Sequence, residues 1–306
     1  MSFPRPLSCS AATSLPERSS SYRWSHNGTN LEIAITQQGG EGPAWLLLPA
    51  LSTISSRQEW QPFCAALSGD PRWSQAGQVP QLIQVDWPGF GDSDRPRLAY
   101  DAALLAQALA AIRRDCCPKD CGLISAGHGA GIALLAAERH GLQFREWVLV
   151  APTWRGPLPT MARRQSRAFP LIRALLETPL LGPLLYRLNT SRSLIEWMGR
   201  RHVDLAGPGL TPAGIAQRQA IARQPGARFA SAAFVTGGLD PYDRSDGWLA
   251  AAKNLKQPLT VVIADNAPPR SWAEMGALAA LADRVLHLPG RLGAHQEFGR
   301  DLAQAL

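Results

Sequence analysis

Seven residues, Ser125-Ala126-Gly127-His128-Gly129-Ala130-Gly131, constrain this chain more than any other stretch. They stand between an apolar run, Cys121 to Ile124, and a helix-like run, Ile132 to His140. Strand, tight glycine turn and helix in that order is the layout of a nucleophile elbow, G-x-S-x-G. There a central serine is lifted out on a strained turn, and small residues flank it where strand and helix backbones approach closely. Gly127 and Gly131 supply the small flanks, so the central position reads as Gly129. The turn is kept and its serine is missing. Ser125 lies four residues earlier, in or at the end of the strand, and is not expected at the tip.

The flanking pattern extends in both directions. Tyr22 to Ser25 and Leu31 to Thr36 read as two strands around Asn27-Gly28, a hairpin signal. Buried-strand runs follow at Trp45 to Leu48, Leu82 to Val85, Trp147 to Ala151, Leu259 to Ala264 and Arg284 to Leu288. Helical runs at Glu59 to Leu67, Ala102 to Arg113 and Gln296 to Ala305 separate or close them. Strands alternating with helices at this spacing predict an α/β fold: a mostly parallel twisted sheet covered by helices. Between about Thr153 and Gly238 the strands stop, and the chain is helical, proline-punctuated and arginine-rich. The expected division is a disordered tail over 1–21, a core over 22–154 and 239–306, and a helical lid over 155–238, inserted after the sixth strand.

Charge separates these parts. The net charge is +7. Arg155 to Arg228 hold twelve arginines and no lysine, against only Glu177, Glu196 and Asp204, so the rest of the chain is close to neutral. Such a field draws an anionic ligand, an anionic membrane surface or an acidic protein partner, or is a solvated helical face. No nucleic-acid-binding motif accompanies it, and nucleic acid is not expected. No apolar run approaches the ~18 residues that span a bilayer. The five cysteines form no C-x-x-C pair, which fits reduced thiols and a cytoplasmic protein, peripheral to a membrane at most. Neither a metal nor a cofactor is expected: there is no H-E-x-x-H, phosphate loop or dinucleotide fingerprint.

Taken in order, the hairpin, Pro49-Ala50, the run Pro88-Gly89-Phe90-Gly91-Asp92-Ser93-Asp94-Arg95-Pro96, the glycine elbow and Gly293-Ala294-His295 resemble the α/β-hydrolase superfamily. The resemblance covers nearly all of residues 22–306. It implies an α/β-hydrolase fold and a set of site positions. Gly129 takes the vacant nucleophile position and His295 the base position. Asp265 or Asp240 takes that of the acid, although either is equally a turn-forming aspartate. Leu51 and Ala130 would offer backbone N–H groups to an oxyanion. His128, Trp154 and Arg155 would line the pocket, with His128 expected to pack rather than react.

Glycine carries no atom able to attack a carbonyl, so ordinary serine esterase activity is not expected. Two readings stay open beside a third, in which the elbow is misplaced and a conventional ester hydrolase uses Ser125. One is a degenerate triad, a pseudoenzyme whose pocket or lid binds a small hydrophobic or anionic ligand, a membrane surface or a partner. The N-myc downstream-regulated family offers a similar case of an elbow without a nucleophile. The other is a serine-independent enzyme with His295 as general base, a lyase or a hydrolase of an ester-like substrate.

Overall fold

Asn27 and Gly28, at φ +48° and +78°, turn the chain so that β1 (Glu17–His26) and β2 (Thr29–Gly39) pair antiparallel, with Trp24 opposite Leu31. The computed structural model describes residues 17–68 and 79–306. Of the tail expected over 1–21, residues 17–21 therefore belong to β1, and the others lie outside the described residues.

The remaining strands are β3 (Ala44–Leu48), β4 (Gln81–Val85), β5 (Cys121–Ala126), β6 (Trp147–Val150), β7 (Leu259–Ala264) and β8 (Arg284–Leu288). They form one eight-stranded sheet in the order β1-β2-β4-β3-β5-β6-β7-β8. The pairings from β4 through β8 are parallel; the hairpin joins antiparallel through β2. Every residue of β5, β6 and β7 is buried, as central parallel strands covered on both faces require. From β3 the chain moves outward to β4, then returns to lay β5 on the other side. The space beyond the carboxyl ends of β3 and β5 is thus a topological switch point, where open α/β sheets place ligands. Leu48 pairs with Ser125 in this register, so Pro49-Ala50-Leu51 and the glycine turn leave the sheet side by side.

The loop after β3 forms a 3-10 turn at Arg57–Trp60 and runs into α1 (Gln61–Ser68). Asp101 caps α2 (Ala102–Cys116), accepting from the Leu104 N–H at 2.7 Å. Helix α3 (Gly127–His140) begins five residues before the expected Ile132. Between β6 and β7 come α4 (Pro157–Ala162), α5 (Ala168–Glu177), α6 (Leu181–Asn189), α7 (Arg192–Met198), α8 (Pro212–Ala222), α9 (Ala227–Val235) and α10 (Ser245–Lys253), with no strand among them. Helix α10 packs on α3 beside the sheet, while α4 to α9 make up the insertion. The last elements are α11 (Pro269–Ala279), α12 (Ala294–Glu297) and α13 (Gly299–Ala305).

One buried charge fastens the loops above the sheet. Asp86, at the end of β4 and fully buried, accepts backbone N–H bonds from Arg57 (2.5 Å) and Asp92 (2.7 Å) and pairs with the Arg57 guanidinium. Burial raises the Asp86 carboxyl, and the facing Arg57 works against that rise.

Candidate functional site

The turn from β5 into α3 falls on Gly127, at φ +53°, two residues before the position read from the sequence. A strand entering a helix through so tight a turn needs one residue in the left-handed region, where a Cβ is strained. A Cβ on Gly127 would touch only Ala50, at 3.1 Å from its Cβ, so this position faces the Pro49-Ala50-Leu51 loop. Gly129 lies inside the first turn of α3. There a Cβ would meet the Pro49 carbonyl at 2.9 Å, Ser125 Oγ at 3.2 Å and Trp87 at 3.3 Å. That is the crowding of a small flanking position. Ser125 and Gly129 are the close-packed flanks, and the tip between them is Gly127. Trp87 reinforces the corner by donating from its indole N–H to the Pro49 carbonyl at 3.1 Å. Ser125 is fully buried in β5, and its hydroxyl finds no partner among the described residues.

Moving the tip also moves the backbone donors. The first N–H groups of a helix have no carbonyl behind them, whereas the fifth from the cap can close the first turn. With Ala126 as cap, the N–H groups of His128 and Gly129 fall in the open turn. Ala130 stands one residue further in, at the position from which an N–H can close on the cap carbonyl. Leu51 is buried in the facing loop.

His295 sits at the start of α12, 1% exposed, with its ring 5.0 Å from that of Trp60. Its Nε2 lies 2.9 Å from Glu59 Oε2, and the same oxygen accepts from the Ala50 N–H at 3.2 Å. Glu59 thus ties the histidine to the loop that Gly127 faces. The sequence reading did not single out Glu59. It lies inside a segment taken as ordinary helix, and its one signal was position, ten residues after Pro49. His295 Nδ1 is buried and has no partner among the described residues.

Neither aspartate proposed as the acid meets His295. Asp265 is substantially exposed and accepts from His287 Nδ1 at 2.7 Å. Asp240 accepts from the Gly156 N–H at 2.7 Å and from Gln165 Nε2 at 3.0 Å. Burial pushes the Asp240 carboxyl up to about 7. His128 Nε2 stands 4.0 Å from it and donates to the Leu239 carbonyl at 2.8 Å. Burial pushes His128 down to about 4, so at neutral pH it is uncharged and the two form no ion pair. Its ring meets Phe234 edge-on. Trp154 is buried against Trp248, their rings 6.4 Å apart, and the Arg155 guanidinium lies over the Trp154 ring, 4.2 Å from its centroid.

Two cavities lie away from this corner. One, of about 680 Å³, opens at the amino ends of the parallel strands beside Ala44, Thr260 and Arg284. The other, of about 420 Å³, lies within the helical insertion. Neither is lined by Gly127, Leu51 or His295. Among the described residues no group of three metal-ligating side chains is close enough to hold an ion.

A sheet of this order with an elbow at its switch point defines a class, and comparison with known proteins agrees. Residues 40–301 match the Alpha/beta hydrolase family, and the chain belongs to it. Comparison with curated protein sequences gives no match. Among solved structures, the chain is similar to Cfl2 from Burkholderia cenocepacia, with TM-score 0.69 and 20% identity over 97% of this chain and 96% of that one. It is similar also to the haloalkane dehalogenase DatA from Agrobacterium tumefaciens, with TM-score 0.66 and 18% identity over 94% of each chain. A serine hydrolase involved in carbazole degradation, the CarC enzyme, follows with TM-score 0.65 and 14% identity, covering 94% of this chain and 97% of that one. At these identities the likeness is one of fold.

Proposed function

We propose that this member of the α/β-hydrolase family forms no acyl-enzyme and uses its elbow corner to hold a hydrophobic or anionic ligand rather than to hydrolyse an ester. One observation carries the reading: the strand-to-helix turn falls on Gly127, which has no side chain to act as nucleophile. The missing acid on His295 Nδ1 supports it, because a histidine without an orienting carboxylate there is not set up as the base of a triad. The open N–H groups of His128 and Gly129, with that of Leu51, remain available to a carbonyl or an anion. By this reading the protein is a pseudoenzyme with a degenerate triad.

A second reading rests on the 2.9 Å contact between Glu59 and His295. A carboxylate fixing an imidazole is an acid–base pair, and such a pair moves protons without a serine, a contribution of ~10²–10⁴-fold to a rate.

A panel of short- and long-chain esters separates the two. Wild type should release product at the buffer rate, and Ser125→Ala should change nothing. Activity abolished by Ser125→Ala would overturn the first reading. Activity that needs both His295 and Glu59 but ignores Ser125 would establish the second.

A further inference from the structure

We propose that the corner between α5 and α6 docks on an anionic lipid surface, a property of the helical insertion that is independent of the chemistry at the elbow. Fourteen large apolar side chains stand exposed among the described residues. Eleven of them fall between Met161 and Leu205, and only Trp272, Leu281 and Val285 lie outside that stretch. On α6, Leu181, Leu184 and Leu188 stand at helical spacing on one stripe, with Leu171 and Leu175 forming the corresponding stripe on α5. Leu180, at the apex between the helices, is 85% exposed. The opposite sides of the two helices are anchored: Phe169, Leu176 and Tyr186 are buried, and the Tyr186 hydroxyl donates to Ser231 Oγ at 3.1 Å. The exposed leucines are therefore a fixed face and not a frayed end.

Geometry decides how such a face meets a bilayer. The two helices are jointly apolar enough for a span but bend by 106° at the break. Helices of ten and nine residues are each about 15 Å long, half of the ~30 Å of bilayer hydrocarbon. They can enter the headgroup boundary and cannot cross it, as amphipathic interfacial helices do.

Charge decides which surface. Each acid of the segment is already paired: Glu177 with Arg173, Glu196 with Arg200, and Asp204 with Arg218. Arg163, Arg164, Arg167, Arg187, Arg192 and Arg201 are exposed with no carboxylate partner among the described residues. A second copy of the chain would bring two such positive faces together, whereas anionic headgroups neutralise them. The apolar part is dominated by leucine, and protein interfaces draw their strongest anchors from tryptophan, tyrosine and arginine. Leucine stripes beside unpaired arginines match a lipid interface better than an acidic protein.

The test is co-sedimentation of the full chain with vesicles of phosphatidylcholine alone and of phosphatidylcholine with one third phosphatidylserine. The expected result is binding to the mixed vesicles that weakens as salt rises, and is about tenfold or more weaker on phosphatidylcholine alone. The pair Leu180→Glu and Leu184→Glu should lower binding to mixed vesicles by about tenfold or more. The set Arg163→Glu, Arg164→Glu and Arg167→Glu should remove the preference for phosphatidylserine. All five positions are exposed, so circular dichroism should report unchanged folding. Absence of wild-type binding to mixed vesicles at low salt overturns the proposal without help from any variant. Equal binding by the leucine pair overturns it as well. A dimer abolished by the leucine pair, or retention on polyglutamate, with no vesicle binding in either case, would assign the face to a second copy or to an acidic protein instead.

Discussion

The carboxyl end of the sheet and the α5–α6 corner are built on opposite principles. At the sheet end, His295, Asp86, Ser125 and Gly127 are buried, and loops are tied to one another through carboxylates. At the corner, leucines face outward and arginines outnumber the acids able to pair with them. In one region the carboxylates of Asp86 and Glu59 are held by protein donors, while Ser125 Oγ and His295 Nδ1 stay buried without partners among the described residues; in the other apolar groups are offered to water. A folded chain gains nothing from exposed leucine stripes, which is why a contact outside the chain is proposed for the second region, whereas the first is tied together by its own side chains.

That contrast breaks down if substitutions in the two regions cost the same. The largest expected effect is at the loop fastener. Arg57→Ala leaves the Asp86 carboxylate buried and unpaired, which should destabilise the fold by about 3–5 kcal/mol, read by denaturant unfolding.

Next comes pH, and here two neighbours act in opposite senses. Asp240 has its folded pKa raised to about 7, so its contribution is full below the ordinary carboxylate pKa and is lost as pH rises towards 7. His128 has its folded pKa lowered to about 4, so its contribution is full above 6.5 and is lost as pH falls towards 4. The two slopes oppose each other between pH 4 and 6.5, and each is worth on the order of 3 kcal/mol. Asp240→Asn should remove the opposing slope. The variant's stability should then climb more steeply than wild type from pH 4 to 6.5 and level off above it. Parallel stability curves for variant and wild type would count against this.

A smaller loss is expected from Glu59→Ala, which leaves His295 Nε2 without its acceptor, about 1–3 kcal/mol by thermal unfolding. Gly127→Ser places a side chain at positive φ and should cost about 1–2 kcal/mol. It should leave ester hydrolysis absent, because His295 Nε2 is already engaged by Glu59. The smallest effect belongs to the other region: Leu180→Glu should stay within about 0.5 kcal/mol of wild type. Marked destabilisation by that change would mean that the corner is core, and the comparison would fail.

Much of the fold was legible in the residues because its signals are local. The Asn27-Gly28 hairpin and the predominantly apolar, fully buried strands β5, β6 and β7 each follow from a few adjacent side chains. The site was legible only in outline. G-x-x-x-G spacing fits both Gly127/Gly131 and Ser125/Gly129 when Ser counts as a small residue, so the pattern cannot say which residue carries the turn. The left-handed φ at Gly127 and the crowding around Gly129 can. Glu59 was missed because its partner, His295, is 236 residues away, and no spacing rule joins them.

By itself, the sequence determined the family fold, the helical insertion after β6 and the glycine-rich turn between β5 and α3. These depend on residue identity and on periods of a few residues. Only the tertiary structure decided that Gly127 is the tip, that Glu59 holds His295, that Asp240 and Asp265 serve other partners, and that the leucines of α5 and α6 face outward. Those outcomes depend on which distant segments are brought within hydrogen-bond distance, and on which side of a helix the rest of the chain covers.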